Sequence, residues 1–106
     1  MIKRIGFFSL PEETDGEKYW NYHLKEHAPD VIKAAGPGLI KYTINRIIKD
    51  ISGESKISGI VETWWESEEA MIEAIRSPEF KRINIEWHEQ VTNHFSVLVD
   101  ETIIIS

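Results

Sequence analysis

At 106 residues with 42% apolar side chains, the chain can bury one core but hardly two, so a single domain over residues 1–106 is expected. A formal net charge of -6 opposes the phosphate neutralisation that nucleic-acid binding needs and any attraction to anionic lipid, which argues against nucleic acid and membrane as partners. Cysteine is absent, which removes disulfides, thiolate metal sites and thiol nucleophiles and suits a cytoplasmic setting.

The apolar run after Lys3 and Arg4 is too short for a signal segment or a membrane span, and Pro11 ends it. Met1 to Ser9 is therefore expected as the first strand. Thr14-Asp15-Gly16-Glu17 has the spacing of a capping box, and Trp20, Leu24, Ala28 and Val31 follow at helical intervals. Pro29 lacks the amide for the helical ladder, so this helix should kink or restart there before Gly36-Pro37-Gly38 ends it. Leu39 to Ile48 and Ile57 to Trp65 are β-branched and aromatic runs separated by a polar turn, and they read as a hairpin. Ser67 can cap a second helix that carries Glu68 and Glu69 in its first turn. Ser77-Pro78 starts a further helical segment to about Gln90, and Phe95 to Ile105 is expected as the last strand.

The order β-α-β-β-α-β specifies an α+β, ferredoxin-like fold: a four-stranded antiparallel sheet with helices on one face. No element is left over for the other face, so a second copy of the chain or a ligand should cover it. Alternation puts Val61, Thr63 and Trp65 on one side of the third strand and Ile60, Glu62 and Trp64 on the other. An unpaired carboxylate does not belong in an apolar layer, so Glu62 and Trp64 should face away from the helices. For the second strand, alternation separates Tyr42 and Ile44 from Lys41, Thr43 and Asn45 without saying which set points inward. Glu101 stands in phase with Val97, Val99 and Ile103, another acid in an apolar series. Trp65, Phe80 and Phe7 are the expected aromatic core.

Tyr19, His23 and His27 share one side of the first helix by their spacing. Residues 23 to 27 also spell His-x-x-E-His, a zinc-peptidase pattern. A third protein ligand is missing and Pro29 interrupts the helix, so no metal is expected. His27 is the candidate general acid or base, because an imidazole transfers protons near neutral pH. The competing reading is a histidine that merely satisfies a backbone carbonyl at the kink. His88 and His94 are expected at the surface or as caps.

Several stretches resemble the EthD family of the dimeric α+β barrel superfamily: Glu26-His27-Ala28-Pro29 with Val31, Leu39-Ile40-Lys41-Tyr42, Gly59-Ile60-Val61-Glu62-Thr63-Trp64-Trp65-Glu66-Ser67, Ser77-Pro78 and Asp100-Glu101. The resemblance spans nearly the whole chain. It implies that two subunits bring their sheets together as a homodimer, with a small-molecule pocket inside the barrel or between sheet and helices. The family commonly has Trp four residues before the histidine of Glu-His-Ala-Pro, where this chain has His23. Members of the wider superfamily include isomerases, cyclases, haem-degrading monooxygenases and cofactor-free monooxygenases, so the fold alone does not fix the reaction. No cofactor is expected, with haem through His27 or His88 left open.

On this reading His27 moves a proton, while Tyr42 and Glu62 orient a ring-bearing, oxygenated ligand or hold its developing charge. Trp64, His23 and Glu101 are the expected ligand-binding residues. The alternative is a non-catalytic binding or accessory protein of a catabolic pathway. RNA binding on the exposed sheet is disfavoured by Glu62, by the lack of a basic residue before Gly59 and by the net charge.

Overall fold

The computed structural model describes residues 1–106. Strands β1 (Ile2–Ser9), β2 (Leu39–Arg46), β3 (Gly59–Trp65) and β4 (Thr92–Val99) form one antiparallel sheet in the order β2-β3-β1-β4. Helices α1 (Gly16–Tyr22), α2 (Ala28–Ala35), α3 (Glu68–Arg76) and α4 (Pro78–His88) complete the ferredoxin-like plan. No helix is long and apolar enough to cross a membrane.

Local chemistry sets the helix ends. Asp15, not Thr14, caps α1 by accepting the Lys18 amide at 3.3 Å. Ser67 caps α3 through the Ala70 amide and Ser77 caps α4 through the Phe80 amide, each at 3.1 Å. Between α1 and α2 the chain restarts as expected, through a π-helical turn over His23–His27. There the Ala28 amide donates to the His23 carbonyl, five residues back, just before Pro29 removes the next donor.

Trp65, Met71, Phe80 and Ile83 lead one buried cluster, and Phe8, Tyr19, Trp20 and Val91 form a second nearer the α1 end. Two expectations need correction. Phe8, not Phe7, is the buried aromatic of β1, while Phe7 stacks on Phe95 across the outer face at 4.8 Å. The last strand is Thr92–Val99 rather than Phe95 to Ile105, because it pairs with β1 only as far as Lys3 opposite Val99.

Two irregularities control which side chains face the helices. Opposite Trp64 and Trp65, β2 carries an extra residue at Ile40, so Leu39 and Tyr42 both end on the helix side. Likewise Asn93 and His94 occupy the interval opposite Phe8 alone, with Asn93 in the left-handed region at φ 49. Gly59 is required by close packing: a side-chain carbon there would come within 2.7 Å of Phe8 Cε1 and 3.0 Å of Trp20 Cη2. Gly59→Ala is therefore expected to destabilise the fold by about 1–3 kcal/mol, read from the urea midpoint.

Candidate functional site

A cavity of ≈ 310 Å³ lies between the helix-side face of the sheet and the helices. Its floor is made by Arg4 and Gly6 of β1, Tyr42 of β2, and Val61, Thr63 and Trp65 of β3. This set follows from register, since Tyr42 and Arg4 both flank Thr63. His27 from the π turn, Val31 of α2, and Phe80, Asn84 and Trp87 of α4 form the roof. His88 and His94 remain exposed, as anticipated, but ring the cavity mouth beside Ser96, their imidazoles stacked at 3.9 Å.

His27 is buried, and its ring stacks on Trp87 at 5.6 Å and meets His23 edge-on at 4.8 Å. Its Nδ1 is enclosed with no hydrogen-bond partner, so the imidazole does not satisfy a carbonyl at the helix break. Burial, opposed by Asp30 and reinforced by His88, lowers its pKa from 6.5 to about 4, leaving a neutral ring at pH 7.

His23 is fully buried and does not line the cavity, which corrects its expected role as a ligand contact. It belongs instead to a hydrogen-bonded series behind the wall. Trp87 Nε1 donates to the Tyr19 hydroxyl at 2.8 Å, Tyr19 meets His23 Nδ1 at 2.9 Å, and His23 Nε2 meets the Tyr42 hydroxyl at 3.1 Å. Indole can only donate, and the buried Tyr19 proton finds its acceptor at Nδ1. His23 therefore carries its proton on Nε2 and donates it to Tyr42. The reverse tautomer would leave the Tyr19 proton buried without an acceptor, at a cost of roughly 1–3 kcal/mol. Tyr42 keeps its own proton for the cavity. Burial, with a contribution from His27, pushes the His23 pKa down to about 3, and burial raises that of the Tyr42 phenol, so both are uncharged.

Glu62, Trp64 and Glu101 are not in this cavity. They lie on the opposite face of the sheet, which corrects their expected grouping with His27 and Tyr42. There Lys3 Nζ is held by Glu62 at 3.0 Å and Glu101 at 2.7 Å, and it lies 4.5 Å from the centre of the Trp64 ring. Thr43 and Asn45 donate to Glu62, and Trp64 Nε1 donates to Glu101 at 3.2 Å. Burial favours a raised Glu62 pKa, but the bonds from Lys3 and Thr43 prevail and hold it low. This network locks side chains on the outer face.

No group of three or more His, Asp or Glu side chains is gathered as in a metal site. His27 and His88 are the lining imidazoles that could hold a haem iron, and the cavity volume of ≈ 310 Å³ is small for the four pyrrole rings.

Among solved structures, an ethyl tert-butyl ether (EthD) family protein from Bacillus halodurans superposes with a TM-score of 0.79 at 25% identity, covering 96% of this chain and 99% of that one. The chain is EthD-like. A dimeric ferredoxin-like protein of unknown function from Thermobifida fusca matches the EthD-like fold with a TM-score of 0.69 at 13% identity, covering 94% and 90% of the two chains. SnoaB, a cofactor-independent oxygenase from Streptomyces nogalater, matches it with a TM-score of 0.69 at 15% identity over 98% and 97%. No protein-family model and no curated protein matches the chain.

Arg4, Asn84 and Trp87 line the cavity but were not anticipated as site residues. Asn84 and His88 do share a helix face by their spacing of four, and Trp87 lies beside them. For Arg4, alternation with Gly6 and Phe8 on β1 carries the same information.

Proposed function

We propose that this chain binds a small oxygenated ring compound in the helix-side cavity and acts on it by cofactor-free acid-base chemistry, as in isomerisation, cyclisation or oxygenation. The observation that carries the reading is His27, a buried imidazole on the cavity wall that takes no part in any hydrogen bond of the fold. Its neutral ring accepts a proton from an activated carbon or hydroxyl. Tyr42, whose proton is directed into the cavity by His23, donates to the oxygen on which negative charge develops. The likeness to a cofactor-independent oxygenase supports this chemistry.

The test is a panel of one- and two-ring ketones and phenols, neutral and anionic, incubated in D2O and followed by mass spectrometry. Conversion or carbon deuteration of at least one compound, lost in His27→Ala, is the expected result. Binding of panel members with every one returned unaltered would establish the second reading, a non-catalytic binding protein. One observation favours that reading: an imidazole lowered to about 4 holds a proton weakly.

The proposal includes a homodimer in a reducing cytoplasm. Phe95 is 53% exposed and Val97 43% exposed on the outer face, and Ile48, Ile51 and Ile105 are almost fully exposed. Such apolar surface is what a partner sheet would cover. Val97→Lys is expected to convert the dimer to monomer in light-scattering measurements on eluting protein. Unaltered dimer mass would place the interface elsewhere.

A further inference from the structure

The cavity's electrostatics narrow the class of ligand, granted the reading that it is a ligand site. Of its lining residues Arg4 alone carries a formal charge at neutral pH, and none is acidic. This contrasts with a chain whose net charge is -6. Arg46 is neutralised by Glu17 and Arg82 by Glu86, each within 3.0 Å, whereas Arg4 enters none of the chain's ion pairs. Its side chain is partly buried and donates to Ser96 Oγ at 3.2 Å. A guanidinium has five N–H donors, so most remain for another acceptor. Burial disfavours its charge and lowers its pKa, yet an arginine stays protonated, and an anion on its free donors would offset that cost.

The position of Arg4 defines a polarity. Its bond to Ser96 draws the guanidinium toward β4, while the Tyr42 hydroxyl stands on β2 at the far side of the sheet. Arg4 and Tyr42 lie two strands apart, about 10 Å at the backbone. Between them the floor is Gly6, Val61 and Thr63, and the aromatic rings of Trp87 and His27 line the helix side. Gly6 contributes no side chain, and a carbon added there would meet nothing closer than 3.9 Å, so its hydrogen leaves room above the floor.

We infer that the cavity takes a flat one- or two-ring carboxylate, its anionic end on Arg4 near the mouth and an oxygen at the opposite end on Tyr42, with the ring beneath His27 and Trp87. Carboxylate geometry matches the planar fork of a guanidinium, which permits a two-point contact that an amide cannot form with the same charge. The His27 ring then lies over the middle of the ligand, where a proton would be taken.

The experiment compares 6-hydroxy-2-naphthoate with 6-hydroxy-2-naphthamide by isothermal titration calorimetry at pH 7.5. The carboxylate should bind roughly ten- to hundredfold tighter than the amide. Arg4→Gln should abolish that preference while amide binding persists, and Tyr42→Phe should weaken both. Equal affinities, or a preference for the amide, would overturn the anionic assignment and leave the cavity as a ligand site. Binding of neither compound would overturn both. Unchanged preference for the carboxylate in Arg4→Gln would remove Arg4 from the assignment, whatever the wild-type ratio.

Discussion

His27→Ala is expected to lower turnover of a substrate found in the D2O panel by about 10²–10⁴-fold, the range general-base catalysis contributes. The ring forms no hydrogen bond whose loss would disturb the fold, so circular dichroism and the elution volume should match wild type. The loss should fall on kcat, because the proton acceptor acts in the transition state, while Tyr42→Phe should lose about 10²–10³-fold as a missing oxyanion donor does. Since the His27 pKa lies at about 4, the acceptor is already deprotonated throughout the neutral range. Turnover should therefore be flat between pH 6 and 8 rather than rising through 6.5 as an ordinary histidine would dictate. A rise centred near 6.5 would mean that His27 is not the acceptor, or that the ligand restores its basicity. The two are separated by repeating the titration at subsaturating substrate, where the free protein's group is read.

The second large effect is on stability. The pKa values of His23 and His27 fall from 6.5 in the unfolded chain to about 3 and about 4 in the folded one. Below pH 6.5 the unfolded chain takes up protons that the folded chain refuses, so stability is complete above that pH and declines as pH falls toward 4. Two such groups lose about 2.7 kcal/mol per pH unit, or about 4 kcal/mol by pH 5, against a typical domain stability of about 5–15 kcal/mol. A marked loss of stability is thus expected by pH 5, with unfolding only at lower pH unless the domain lies at the bottom of that range. The carboxylates Glu62 and Glu101, held low by Lys3, lose their contribution only in a lower window, as they protonate. Urea midpoints at pH 7, 6 and 5 test this directly. In His27→Ala the decline should be about half as steep, since His23 alone remains; an undiminished slope would show that other groups govern acid sensitivity.

Alternation and charge were enough to fix much of the architecture. Pro29 announced the helix break, the serines before α3 and α4 announced their caps, and Glu62 placed its face of β3 away from the helices because a carboxylate resists an apolar layer. Once that face was assigned, Val61, Thr63 and Trp65 necessarily faced the helices. The EthD-like stretches agreed with this layout. Composition, in contrast, named histidines, tyrosines, tryptophans and glutamates as site chemistry without separating the two faces.

For β2, β4 and the first helix that separation came from backbone irregularities that no periodic pattern encodes. One extra residue at Ile40 reverses the parity of β2, so Leu39 and Tyr42, three apart, share the helix side. The bulge at Asn93 brings His94 to the cavity mouth. The π turn joins His23 and His27 ring to ring, yet leaves one behind the wall and the other on it. A bulge or a π turn shifts by one residue everything that follows, and its energy is decided by packing between distant segments rather than by the local residues. The element order and the outer-face acid were therefore legible in the chain itself, while the pairing of His27 with Tyr42 and the unpaired Arg4 beside them exist only in the folded sheet.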